Sequence, residues 1–210
     1  MGGKSRKSPL LISCGILKPE IEAQIEGKKI EAEAIFLNKY LHMNYQKLQD
    51  ALKASLRKHS GKKPVAIYGD LCLGFNDEMN ALMAEYDIVK VDALNCIDCL
   101  LGGRGKLLQM DLEHRFYFLT AGFLDYTEKL ILGSKEDIRH RFNMLKGIIV
   151  LDSLGDIDQH RDRIEHISDQ TGLPVLEHCM VGLDGLKAVI EAALKKATIE
   201  INGRHQLDSN

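Results

Sequence analysis

The chain has 210 residues, a formal charge of −2, 45% hydrophobic and 28% charged residues. That balance excludes a disordered chain and a membrane-embedded one, and the near-neutral charge supplies no overall basic field for nucleic acid. The length suits one domain; the expected division is a flexible start over 1–8, a single α/β domain over 9–200 and a polar tail over 201–210.

Lys4, Arg6 and Lys7 precede the apolar run Leu10-Leu11-Ile12, which is broken too soon for a signal peptide or a membrane span. With no export signal a reducing, cytoplasmic setting is expected. There the five cysteines, Cys14, Cys72, Cys96, Cys99 and Cys179, favour metal binding or redox work over structural disulfides.

In chain order, the run ending near Cys14 reads as a first strand, and Pro19 begins a helix through Ile21 and Ile25 that ends at Gly27. Ile30 to Leu37 alternates like a half-exposed edge strand. Leu48, Leu52 and Leu56 recur every four residues between Asn44 and His59, which predicts an amphipathic helix. Val65 to Tyr68 reads as a strand, Asn76 as the cap of a helix reaching Tyr86, and Ile88 to Val91 as a further strand. Phe116 to Leu124 is apolar and aromatic, and periodicity leaves strand or buried helix open. A charged helix over Ser134 to Leu145, a strand over Gly147 to Leu151, a helix over Asp158 to Thr171, a strand at Val175-Leu176 and a helix from Leu183 to Ala197 complete the pattern. Strand-like runs alternating with helical ones predict a three-layer α/β domain, with a mainly parallel Rossmann-like sheet and helices on both faces.

Cys14, Cys72 and Cys96 each follow a strand-like run, and the C-terminal ends of parallel strands share one edge, where ligands bind. A single cysteine is more often a small buried hydrophobe. Three at equivalent ends, each beside turn-forming residues, point instead to a shared metal or cluster site. Thiolates with one histidine suit tetrahedral zinc, and thiolates alone suit an iron–sulfur cluster. His42, between the second strand and the next helix, is the expected fourth ligand, and His178 in Glu177-His178-Cys179 stands next in line. His140, His160 and His166 lie on charged helical faces.

Other motifs carry less. Cys96-Ile97-Asp98-Cys99 is a C-x-x-C pair without thioredoxin-like surroundings, so Cys99 reads as a core residue one helical turn on. Gly102-Gly103-Arg104-Gly105-Lys106 lacks the P-loop spacing and reads as a loop. The sequence has no Gly-x-Ser-x-Gly elbow and no Asp-x-His-x-x-Gly cobalt-ligand motif.

Ser13-Cys14-Gly15, Leu41-His42, Tyr68-Gly69-Asp70-Leu71-Cys72, Asn95-Cys96 followed by Leu100-Leu101-Gly102, and Phe118-Leu119-Thr120 together resemble the domain-of-unknown-function family 1638 of archaea, including methanogens, and bacteria. The resemblance implies that Cys14, His42, Cys72 and Cys96 are recurrent polar positions. It also implies a setting in one-carbon metabolism, because family genes in methanogens are associated with corrinoid-dependent methyl transfer. Leu73-Gly74 departs from the family's common Cys-Gly pair, and Cys99 is additional. The resulting expectation is a zinc or iron–sulfur centre on Cys14, His42, Cys72 and Cys96, with a corrinoid as a further cofactor and corrinoid proteins or methyltransferases as partners. A thiol redox protein using Cys96 and Cys99, and a metal-free cofactor-binding module, are the rival readings.

Overall fold

The computed structural model describes residues 8–207, with side chains to 200; the outermost parts of the expected terminal segments, 1–7 and 208–210, lie outside the described residues. The chain is a three-layer α/β fold built on two three-stranded parallel sheets. In the first, β1 (Leu10–Cys14) lies between β2 (Glu33–Leu37) and β3 (Val65–Ile67). In the second, β5 (Gly147–Asp152) lies between β4 (Phe116–Leu119) and β6 (Val175–Met180). The central strands β1 and β5 are buried along their whole length, as strands covered on both faces must be.

Helical crossovers join the strands. After β1 come α1 (Lys18–Glu26) and, beyond β2, α2 (Tyr45–Lys58), capped at Asn44, whose Oδ1 accepts the Lys47 N–H at 3.0 Å. Leu48, Leu52 and Leu56 of α2 are buried as their spacing predicts, and full burial of each contributes about 1.5–3 kcal/mol. Next come α3 (Glu78–Tyr86), α4 (Cys96–Leu101) and α5 (Lys106–Met110). The second half adds α6 (Leu124–Leu130), α7 (Lys135–Phe142), α8 (Arg161–Thr171) and α9 (Asp184–Leu207). No described helix is long and apolar enough to cross a membrane.

Several boundaries differ from the sequence reading. The second strand starts at Glu33, because Ile30 is still bonded to the end of α1 through Gln24 O at 3.3 Å; β2 is an edge strand as its alternation indicates. Asn76 does not cap α3. Asp77, in the left-handed region at φ 65°, precedes the helix, and the Asn76 N–H donates to the Glu78 carboxylate at 2.8 Å. Ile88 to Val91 is not a full strand: it flanks β3 through Lys90 alone, with Val89 O and Val91 N bonded to Ala66. Phe116 onward resolves into β4, a 3-10 turn and α6, so both readings of that run apply to successive pieces. The last helix continues ten residues past the end read from the sequence.

Two glycines mark where backbones pass too closely for a side chain. A Cβ on Gly69 would stand 2.3 Å from the Leu94 carbonyl carbon and 2.4 Å from Asn95 N, and one on Gly122 would stand 2.0 Å from Ile16 O. Gly69 therefore lets the chain after β3 lie against the loop that introduces α4. Gly69→Ala should lower stability by about 1–3 kcal/mol, the usual cost of overpacking, and so lower Tm by several degrees. Gly61→Ala, with nothing within 4 Å of its Cβ position, should leave the melting temperature nearly unchanged. Thermal melts of the two variants check this, and equal melting temperatures would contradict the close approach.

Candidate metal centre

Parallel pairing sets Cys14, the last residue of β1, opposite Leu37, the last of β2. The chain then turns through a 3-10 segment, Lys39–Met43, whose first N–H groups are met by Asn38: its Oδ1 accepts from Tyr40 N at 2.9 Å. This turn carries His42 back over the strand end, with Nε2 2.9 Å from Cys14 Sγ. The same sulfur accepts the Ile16 N–H at 3.3 Å. On the other side of β1, β3 leads into the 3-10 turn Asp70–Leu73, which buries Cys72. Cys14, His42 and Cys72 thus occupy the C-terminal ends of β1, β2 and β3, as the sequence reading places them.

Cys96 arrives differently. It is the first residue of α4 rather than the last of a strand, and two interlocking caps fix it. Asn95 Oδ1 accepts the Asp98 N–H at 2.9 Å, and the Asp98 carboxylate reaches back to Leu94 N at 2.9 Å, a reciprocal arrangement akin to a capping box. Asp98 is wholly buried and also accepts from Leu107 N at 2.9 Å and Gly105 N at 3.3 Å. Hydrogen bonds to a charged acceptor contribute about 1.5–3 kcal/mol each, so this side chain ties three stretches of backbone around Cys96.

One ligand atom each from Cys14, His42 and Cys96 lies within 4.8 Å of the other two. Cys72 is not one of that trio, but its thiol is close enough to Cys96 for a thiol–thiol hydrogen bond. Cys99 faces away into the core, and His178 is exposed on β6 in the second sheet, beside Val150. His178 and Cys179 line a separate depression between β6 and α8. Arg104 of the glycine-rich loop is held by Asp70 and Asp92, so that loop presents no free guanidinium to an anion.

The electrostatics divide the thiols. A hydrogen bond from the Cys96 thiol, with the hydrogen bond and charge of His42, outweighs burial and brings Cys14 down to about 5. The Cys96 hydrogen bond also lowers Cys72. Serving both partners, and buried, Cys96 is pushed well above its ordinary range; burial, helped by the charges of Cys72 and Asp98, does the same to Cys99. Burial pulls His42 down, but the Cys14 thiolate beside it and the charge of Cys72 carry it net upward. In the metal-free centre these shifts favour a charged Cys14–His42 pair backed by a neutral Cys96 thiol.

Tyr68, whose sequence context indicates only a strand residue, belongs to this centre. Its ring is fully buried, its hydroxyl has no hydrogen-bond partner, and all three thiols raise its pKa alongside burial. A buried hydroxyl without a partner costs about 1–3 kcal/mol. The only sequence signal is a polar tip closing an aliphatic strand.

The donor set, two sulfurs and an imidazole, is the chemistry of a soft or borderline metal such as zinc. From zinc bond lengths, tetrahedral ligands stand about 3.6 to 3.8 Å apart, so the Cys14–His42 contact would open, and any wider separation within the 4.8 Å trio would close, to hold an ion. A cleft of about 370 Å³ opens onto His42, Cys72 and Cys96, walled by Tyr45, Phe123, Tyr126 and the strand β4. Its size is that of a small-molecule site.

A family model described as Protein of unknown function (DUF1638) matches residues 36–190, a span that includes His42, Cys72 and Cys96. No curated protein and no solved structure matches the chain.

Thiolate absorbance near 240 nm, followed against pH on protein stripped of metal, should show one group ionising at about 5. In His42→Ala the same step should move toward the ordinary thiol range. Because the folded-state value of Cys14 is depressed, its contribution to stability is complete above the ordinary thiol pKa of about 8.5 and lost as pH falls through the folded value. A titration with no thiolate below neutrality would contradict the paired centre.

Proposed function

The chain belongs to the DUF1638 family, and on that premise we propose that this protein binds a single zinc ion through Cys14, His42 and Cys96, with an open position toward the cleft. The observation that carries this reading is the convergence of the three ligand atoms within 4.8 Å. So tight a set suits one ion better than a cluster, whose thiolates must stand farther apart to span several irons. Bound there, the ion would act as a Lewis acid and hold a soft substrate atom as a thiolate.

The protein's own residues supply the rest. Cys14 is already driven toward the thiolate, so loading displaces the Cys96 proton and competes with protonation of His42. Cys72, at the floor of the cleft beside Cys96, is positioned to close the fourth position when no substrate is present.

The setting we propose is one-carbon metabolism, with a methyl group or its thiol acceptor brought to the open position. A corrinoid macrocycle exceeds a cleft of this size, so a corrinoid would be presented by a partner protein. Against the redox reading stands the pairing of thiols: a C-x-x-C oxidoreductase needs a lowered first thiol, whereas here the thiolate is Cys14 and both Cys96 and Cys99 are raised.

Zinc retention after anaerobic purification and competition with a chromogenic chelator tests the assignment. Cys14→Ser, Cys96→Ser and His42→Ala should each weaken zinc binding by about 100-fold or more, Cys72→Ser by less, and Cys179→Ser not at all. Stoichiometric iron with acid-labile sulfide, or unchanged zinc affinity in Cys14→Ser and Cys96→Ser, would overturn it.

A further inference from the structure

The cleft above the thiols does not end at His42. It shares His42, Tyr45 and Tyr126 with a neighbouring groove of about 530 Å³, so the two adjoin at those side chains and together outline a passage from Cys96 past the imidazole to Lys129 and Arg141. Met43, Tyr45 and Leu132 along it are 42%, 48% and 71% exposed. Apolar side chains left open in a concave surface mark a place where something binds.

The charge along this passage is unbalanced at one end. Lys39 and Arg163, close by in the fold, are neutralised: both pair with Asp125, and Arg163 also with Glu128. Among the described residues, Lys129 and Arg141 have no carboxylate within ion-pair distance. They are nevertheless held in place. The Lys129 ammonium stands 4.5 Å from the centre of the Tyr40 ring, and Arg141 Nη1 donates to the Leu130 carbonyl at 2.8 Å. A guanidinium has five N–H donors, so that contact leaves Arg141 able to grip an anion. Because both cations are anchored, a ligand meets them with part of their rotamer entropy already lost.

We propose that this passage binds a small organic anion. The anionic head, of carboxylate, sulfonate or phosphate type, sits between Lys129 and Arg141; an apolar or aromatic body lies along Tyr45 and Tyr126; the far end points at His42 and Cys96. This names the ligand class for the cleft of the proposed function and rests on that reading for what happens at the inner end. The anion grip itself requires no metal.

The test therefore uses metal-free protein carrying ring-labelled tyrosine, with NMR following its six tyrosines as 3-phenylpropionate, 3-phenylpropan-1-ol or 3-phenylpropylamine is added. The carboxylate should shift the Tyr45 and Tyr126 rings and leave remote Tyr86 unmoved. It should bind about 10-fold more tightly than the alcohol, as expected for two partly exposed ion pairs, and more tightly still than the amine. The advantage should shrink in high salt and vanish in the double variant Lys129→Gln/Arg141→Gln. Equal binding of acid and alcohol, shifts confined to other tyrosines, or no binding at millimolar probe would overturn the inference. If the double variant fails to fold, the ligand series on the unaltered protein decides alone. Loss of this binding leaves the zinc assignment standing, and failure of zinc to bind leaves the anion site standing, so the two outcomes are distinguishable.

Discussion

The parallel register of β1 against β2 and β3 is the constraint on which the candidate centre depends. With Cys14 paired to Leu37 and Ser13 to Ile67, the three strands end at one level, and the turns that follow have the same edge to build on. A one-residue slip would send every side chain of the moved strand to the opposite face and separate the ligands. The register is held by burial: Leu10, Leu11 and Ile12 are each at most 2% exposed, and the core of the first sheet also encloses Cys14, Cys72, Cys96 and Cys99. The site and the core are one packing problem. Cys96 is the exception in how it is placed, because Asp98 and Gly69, rather than a strand, decide where it stands.

Much of this was legible in the sequence, and the limits follow physical lines. Amphipathic spacing located α2 to within a residue at each end, because Leu48, Leu52 and Leu56 face one core and Asn44 caps the first turn. Strand ends located Cys14, Cys72 and His42 on one edge. The Ile88–Val91 run misled, since apolar β-branched residues suit any buried extended segment, whether or not it pairs over several residues. Tyr68 and Asp98 were missed for a related reason: a buried polar group takes its meaning from distant partners, Leu107 and Gly105 for Asp98, the three thiols for Tyr68. Nor could local pattern show that β4 and α6 supply a wall of the cleft, which depends on how the second sheet docks on the first.

The energetic logic of the centre is a shared proton. Three ionisable groups are packed where isolated charge is expensive, and they lower that expense by dividing roles: Cys14 is driven toward the anion, His42 toward the cation, and Cys96 stays neutral and donates to its neighbours. Such a network is half-prepared for a metal, since the thiolate is the ligand form. Cys99, three residues along the same helix, lies outside this division. Burial and the charges of Cys72 and Asp98 outweigh the charge of Lys90 and hold it as a thiol.

X-ray absorption at the metal edge of protein purified without oxygen tests the central claim most directly. The account predicts zinc in a shell of sulfur at about 2.3 Å with one imidazole nitrogen at about 2.0–2.1 Å, and two sulfurs when a light-atom ligand fills the open position. An iron edge with iron–iron scattering, or a zinc shell of oxygen and nitrogen alone, would contradict it.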